Sequence, residues 1–201
     1  MNARAWQCQS LLIGYPDAQL RDRAGLLAEA AATLPTPVGD PLLRFLDHLR
    51  STPAGQLEAD YVATFDHRKR CCLFLTYYGA GDTRKRGMAL LEMKQQYMAA
   101  GLALTDEELP DHLSVVLEYA AIQPAEGLDL LLTHRAGLEL LRLALHDAHS
   151  PWADVLNSVS ATLPALAGDQ RTAVARLAAQ GPPAEQVGLA PFGPQFEGAR
   201  S

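Results

Sequence analysis

RKRCCLFLTYYGAGDTRKRG, the stretch from Arg68 to Gly87, places the most hydrophobic run of the chain between two basic triplets. On a helix, Cys71, Phe74, Leu75 and Tyr78 form one stripe, while Cys72, Leu73, Thr76 and Tyr77 cover most of the rest. A helix apolar all round is either central to a globule or open to a partner. Gly79-Ala80-Gly81 breaks it, and Asp82 caps a following helix that buries Leu90, Met93, Tyr97 and Ala100 before Gly101 ends it. Leu and Ala dominate elsewhere too, alternating strand patterns are absent, and Pro or Gly recurs at helix-length intervals. The fold class that follows is all-α: a single-domain, multi-helix globule.

Working outward, Trp6 to Ile13 reads as a first helix, and Asp17 caps a second that runs to about Leu34. Pro35 to Gly39 reads as a loop. Asp40-Pro41 reads as an N-cap with proline at the first helical position, opening a helix with Leu42, Phe45, Leu46 and Leu49 on one face. Another begins near Pro53 and carries Leu57, Tyr61 and Phe65. Beyond the quoted stretch, Thr105 to Glu108 is a capping-box pattern, and Pro110 opens a helix with Leu113, Val116, Leu117, Ala120 and Ala121 aligned. One long leucine-rich helix is expected from Ala125 to about His149, a restart at Ser150-Pro151 for Trp152, Val155, Leu156 and Val159, and a short helix from Asp169 to Gln180. The helical domain therefore covers residues 1–180. Residues 181–201, GPPAEQVGLAPFGPQFEGARS, are too rich in Pro and Gly for regular structure and read as a disordered C-terminal tail.

A chain of 201 residues with formal net charge −6 lacks the cationic excess that nucleic acid or an anionic membrane surface requires. Three cysteines, two of them adjacent, suit neither a disulfide framework nor a zinc site, and no apolar run approaches the roughly 20 residues that span a bilayer. A cytoplasmic protein with no nucleic-acid partner and no direct membrane insertion is expected. Catalytic patterns are also missing: there is no nucleophile elbow, no His-Glu-x-x-His pair and no GxGxxG turn after a strand. Asp111 and His112 are sequence neighbours that point to different faces of a helix, and an acid in a first helical turn needs no further reason. His146 and His149 stand three apart without a carboxylate or Cys at matching spacing, which favours surface histidines over metal ligands.

The second triplet asks for a cause. Arg84, Lys85 and Arg86 follow the Asp82 cap directly, where a helix dipole disfavours cations by roughly 0.3–1 kcal/mol each. Either Arg84 or Arg86 ties the turn to an acidic neighbour such as Asp66, with Lys85 solvated, or the turn and its arginines form a docking surface for a carboxylate, a peptide end or a phosphate. GAGDTRK lacks the Gly-Lys-Ser/Thr ending of a Walker A loop.

Several of these motifs agree in spacing with one family. Tyr61-Val62-Ala63-Thr64-Phe65-Asp66, Leu73 to Leu75, Gly81-Asp82-Thr83-Arg84-Lys85-Arg86-Gly87-Met88-Ala89 and Tyr97 to Gly101 resemble the delta-subunit, or NarJ, family of respiratory nitrate reductase assembly chaperones. Glu108-Leu109-Pro110-Asp111-His112-Leu113 is similar to the Glu-x-Pro-Asp-His signature of the wider class of molybdoenzyme maturation chaperones. The match runs from about Gln7 to Leu163. The resemblance implies a non-catalytic, all-helical protein without a resident cofactor. It implies a partner too, the apo catalytic (alpha) subunit of nitrate reductase, recognised through its N-terminal segment while molybdenum cofactor and iron–sulfur clusters are inserted. On this basis Tyr61, Phe65, Asp66, Leu75, Tyr78, Asp82, Arg84, Arg86, Asp111 and His112 are the expected partner-binding residues. The client groove is expected along the apolar Cys71–Tyr78 helix, in a monomer or weak dimer. The alternative is a helical nucleotide- or phosphate-binding protein that uses the Gly79–Arg86 turn, since helix N-termini bind anions.

Overall fold

The computed structural model describes residues 2–80, 84–104 and 108–180. Among the described residues the regular elements are eleven α-helices and one 3-10 turn. They are α1 (Ala3–Ile13), α2 (Ala18–Ala32), α3 (Thr36–Ser51), α4 (Ala54–Phe65), the 3-10 turn Lys69–Cys71, α5 (Leu75–Ala80), α6 (Arg84–Ala99), α7 (Leu113–Ile122), α8 (Pro124–Thr133), α9 (Arg135–Asp147), α10 (Trp152–Ala161) and α11 (Gly168–Gln180). The expected Asp82 cap, the Thr105 end of the capping box and the tail 181–201 lie outside the described residues.

The central helix is α7. Its Leu113, Val116, Leu117 and Ala120 are wholly buried, because α1 packs along one side of it and α8 along another. Around this axis α3 packs on α2 and α10, and one core cluster runs from Trp6 to Leu163. Fully burying a side chain of the size of Leu42 or Phe45, which are 0% and 1% exposed, contributes roughly 1.5–3 kcal/mol each. Trp152 sits at 0% exposure within an aromatic group, its ring centroid 5.4 Å from those of both Tyr61 and Phe65 and 5.7 Å from that of Phe45. Asp17 caps α2 as expected, its Oδ1 accepting from Leu20 N at 2.8 Å.

Four expectations are corrected. First, Pro35 to Gly39 is helical. Pro35 O accepts from both Val38 N and Gly39 N at 2.8 Å, so α3 starts at Thr36, and Asp40 is an exposed interior residue followed by Pro41. Gly39 makes this possible, since a Cβ there would stand 2.5 Å from Ala31 O where α3 crosses α2. Second, Cys71–Tyr78 is not one helix. After the 3-10 turn the chain is extended through Cys72 and Leu73, and Phe74 forms an antiparallel bridge with His112. Two hydrogen bonds frame that bridge, Leu113 N to Leu73 O and Leu75 N to Asp111 O, both 2.9 Å. Helix α5 begins only at Leu75, and it includes Gly79 and Ala80, which were expected to end it.

Third, Pro110 does not open α7. It lies in a buried turn whose carbonyl accepts from Tyr97 Oη at 2.8 Å, and α7 starts at Leu113 with His112 at the N-cap. Fourth, the expected helix from Ala125 to His149 is two helices broken at His134. Each piece follows a different neighbour. At Gly127 a Cβ would stand 2.2 Å from Ala120 Cα, and at Gly137 one would stand 2.9 Å from Tyr78 Cβ, so α8 lies against α7 and α9 against α5.

Candidate functional site

The bridge between Phe74 and His112 brings Asp111 inward. Asp111 is 0% exposed, and its Oδ2 accepts from Thr76 Oγ1 at 2.5 Å and from Thr76 N at 3.3 Å. Thr76 is the second residue of α5, so this carboxylate caps a helix supplied by a distant part of the chain. The acid expected to favour its own helix N-terminus thus serves that of another element. Arg86, projecting from the first turn of α6, completes the arrangement. Its Nη2 lies 3.6 Å from Asp111 Oδ2, its Nε donates to Thr76 Oγ1 at 3.2 Å, and its guanidinium lies over the Phe74 ring at 5.4 Å. The acidic neighbour expected for Arg84 or Arg86 is therefore Asp111 for Arg86, not Asp66, which is exposed at the C-cap of α4.

His112 closes the outer side. Its ring meets Phe74 edge-on at 5.3 Å, and its Nδ1 lies 2.7 Å from Ser114 Oγ. Burial pushes its pKa below the usual histidine value, against the opposing pull of Asp111 and Glu108. His134, at the junction of α8 and α9, is lowered by burial in the same way while Asp111 pulls it up. Asp111 thus faces two histidines and an arginine, and its Oδ1 accepts no hydrogen bond among the described residues.

The expected site residues separate into groups. Leu75, Arg86, Asp111 and His112 converge, around Thr76, which was not among the expected residues. Tyr78, 4% exposed, is next to them, and its hydroxyl donates to Arg70 O at 3.1 Å and Cys72 O at 2.9 Å. Tyr61 and Phe65 belong instead to the aromatic group around Trp152, with Tyr61 Oη donating to Ile13 O at 3.3 Å. Arg84 is exposed. Asp82 lies outside the described residues. Leu75 and Tyr78 are buried, as is Cys71, so the face expected to line a client groove is already covered by α9 and α6. The three cysteines are free, and burial pushes each thiol up, which makes them poor thiolates.

An open cleft lies one helix away. It has a volume of ≈ 230 Å³ between the end of α6 and α7, with Tyr97, Leu102, Leu104, Val115, Tyr119 and Ile122 as its apolar lining and Glu108 and Glu118 at its polar positions. The Tyr97 and Tyr119 rings meet in its floor, tilted at 42° with centroids 4.5 Å apart. Both carboxylates are exposed. Sequence reasoning placed Tyr97 in the core and missed this cleft, because residues 102–104 read only as a linker between two helices.

The family model for the nitrate reductase delta subunit matches residues 31–158. The "Nitrate reductase-like protein NarX" of Mycobacterium tuberculosis H37Rv is 39% identical over 158 residues, 78% of this chain, and the chain spans only 24% of that protein's length. The "Probable nitrate reductase molybdenum cofactor assembly chaperone NarJ" of Bacillus subtilis is 31% identical over 159 residues, covering 77% of this chain and 85% of that one. The nitrate reductase molybdenum cofactor assembly chaperone NarJ of Escherichia coli K12 is 34% identical over 148 residues, 72% and 63% of the two chains. Among solved structures, an Archaeoglobus fulgidus protein with the provisional name of redox enzyme maturation protein superposes with a TM-score of 0.59 at 21% identity, over 89% of this chain and 94% of that one. That likeness concerns the fold.

Proposed function

This chain belongs to the nitrate reductase delta subunit family, and from that premise we propose that it is a system-specific assembly chaperone. It binds the apo catalytic subunit of a respiratory nitrate reductase through that subunit's N-terminal segment and holds it while molybdenum cofactor and iron–sulfur clusters are inserted, before membrane assembly. Relatives of which the chain covers most or much of the length carry the name of molybdenum cofactor assembly chaperone. No described helix is long and apolar enough to cross a membrane, which suits a protein that meets its client before the client reaches one.

The observation that carries the reading is the cleft between α6 and α7. A cleft of mixed polarity, floored by two tyrosines with Leu and Val walls and two exposed carboxylates, suits an amphipathic segment whose apolar side chains are bordered by cations. The expected site residues then divide by role. Arg84, His112 and Asp66 meet the client from the surface. Leu75, Tyr78, Arg86 and Asp111 tie α5 and α6 to the start of α7, and Tyr61 and Phe65 support the core from the Trp152 group. His112 stands within the field of Glu108, so its protonation changes the charge at one end of the cleft.

Calorimetric titration of a peptide covering the N-terminus of the cognate catalytic subunit tests this. Binding that weakens about tenfold or more in Ile122→Lys and Glu118→Lys, both at exposed positions, is the expected result. Absence of binding by that peptide and by the whole apo subunit refutes the chaperone reading. Full affinity in both variants refutes the cleft.

A further inference from the structure

The cleft between α6 and α7 carries charge that the described part of the molecule leaves unbalanced. Glu108 and Glu118 are exposed, neither forms an ion pair among the described residues, and no Lys or Arg is part of the lining. Exposed carboxylates alone are ordinary surface. Tyr119 is not ordinary. It is 3% exposed, its ring lies in the cleft floor against Tyr97, and its hydroxyl has no hydrogen-bond partner among the described residues, whereas the Tyr97 hydroxyl is taken up by Pro110 O at 2.8 Å. A phenol buried to this extent normally finds a partner for its polar end. Burial first, and then the charge of Glu126 in the first turn of α8, push its pKa up, so the hydroxyl keeps its proton at neutral pH and offers both a donor and an acceptor.

We propose that this cleft is a pocket for one guanidinium, the end of an arginine side chain carried by a partner polypeptide. Size sets the number of groups it takes. At ≈ 230 Å³ the cleft falls below the roughly 300–1,000 Å³ of pockets that enclose drug-sized ligands, so it has room for a single side chain and not for a nucleotide. The sign of its charge disfavours a phosphate or a carboxylate. Among cations, a metal ion is not the occupant that the side chains suit, because no group of three or more His, Cys, Asp or Glu among the described residues is arranged to hold one. Shape then separates guanidinium from ammonium. A guanidinium is planar and weakly hydrated, it stacks on an aromatic face, and its fork of donors reaches several acceptors together, whereas an ammonium is a compact, strongly hydrated point charge. The aromatic face here is the tyrosine pair, and the acceptors are the carboxylates of Glu108 and Glu118 with the Tyr119 hydroxyl beneath them. One arginine, rather than positive charge in general, is thus the feature recognised. That the arginine belongs to the client segment rests on the function proposed above; the preference of the pocket for a guanidinium does not.

NMR titration of the full chain with N-acetyl-arginine methylamide, and in parallel with N-acetyl-lysine methylamide, tests the pocket without any client. The arginine probe binds with a dissociation constant of about millimolar order, as its small size allows, and shifts the amide resonances of Leu102, Glu118 and Tyr119 most. The lysine probe binds at least about fivefold more weakly. Tyr119→Phe keeps the ring and removes only the hydroxyl, and it weakens the arginine probe about threefold to tenfold. Glu108→Gln/Glu118→Gln weakens it about tenfold or more at low salt. Absence of arginine binding, equal binding of the two probes, shifts centred elsewhere, or an affinity unchanged in Tyr119→Phe overturns the proposal. The peptide from the N-terminus of the cognate catalytic subunit separates this proposal from the client reading. Arginine binding by a chain with no affinity for that peptide or for the apo subunit supports the pocket and refutes the chaperone reading, and peptide binding by a chain that ignores the arginine probe does the reverse.

Discussion

Replacing Asp111 by Asn tests whether its carboxylate is what ties α5 and α6 to the start of α7. The substitution keeps shape and an acceptor oxygen but removes the charge. Asp111 Oδ2 takes two hydrogen bonds from Thr76 and faces Arg86 at 3.6 Å, all at 0% exposure. Hydrogen bonds to a charged group contribute roughly 1.5–3 kcal/mol against about 1 for neutral ones, so loss of charge at the short Thr76 contact removes about 1 kcal/mol. Arg86 loses Asp111 as a counter-ion. Breaking a fully buried pair costs about 3–5 kcal/mol, but the Arg86 side chain is 18% exposed and can turn toward water, which reduces this part to about 1–2 kcal/mol.

The expected total is about 2–3 kcal/mol. For a chain of this length that is a fall in Tm of roughly 4–12 °C. Arg86→Met leaves the carboxylate buried without a cation and destabilises by a similar amount or more. The double variant loses less than the two single effects added, by about 1–2 kcal/mol, because each removes the same interaction. Urea unfolding followed by fluorescence reads all three, since Trp6 and Trp152 are 2% and 0% exposed. An Asp111→Asn effect below about 0.5 kcal/mol at unchanged m-value, or additive single effects, refutes the staple.

The two buried histidines set the sign of the acid response. Burial lowers the folded-state pKa of His112 and His134 below the unfolded value of about 6.5, so the unfolded chain binds protons more readily. Their contribution is complete above that value and is lost as pH falls through the lowered folded pKa; the urea midpoint therefore drops as pH falls below about 6.5, and His112→Gln/His134→Gln flattens the drop. An unchanged slope in the double variant contradicts this. The glycines give a paired test: Gly127→Ala forces a Cβ against Ala120 and destabilises by about 1–3 kcal/mol, whereas Gly25→Ala, inside α2 with nothing within 4 Å, stabilises by about 0.4–1 kcal/mol. Thermal melts of the two variants that moved in the same direction would contradict the close approach of α7 and α8.

What the sequence made legible was local. Helix existence followed from apolar spacing at Leu42, Phe45, Leu46 and Leu49 and at Trp152, Val155, Leu156 and Val159, all of them buried. The misreadings share a physical cause. Cys71–Tyr78 looks helical by composition, yet Leu73 and Phe74 are extended because residues 111–113, about 40 positions later, offer backbone partners and a buried wall. Pro110 looks like a helix opener, yet Tyr97 claims its carbonyl. Asp111 looks like a favourable acid for its own helix, yet it caps α5. Each depends on a partner remote in sequence, which no local window contains. The motif resemblance did gather Arg86, Asp111 and His112 into one set, and these are neighbours in space. It also included Tyr61 and Phe65, which belong to the Trp152 group.

The two basic triplets can now be weighed against each other. Arg68, Lys69 and Arg70 are exposed on the 3-10 turn, beside a cavity of ≈ 380 Å³ that they share with Asp147 and Ala148 at the C-terminal end of α9. Cations at a helix C-terminus are favoured by roughly 0.3–1 kcal/mol each, so the fold itself accounts for that triplet. The second triplet occupies the opposite situation, the first turn of α6, where the same effect is unfavourable. Arg86 is compensated, because it turns inward to Asp111. Arg84 and Lys85 are exposed and form no ion pair with a described carboxylate. Placement against the helix dipole is not explained by stability. Of the six basic side chains that bracket the apolar run, these two are where a partner's carboxylates are expected.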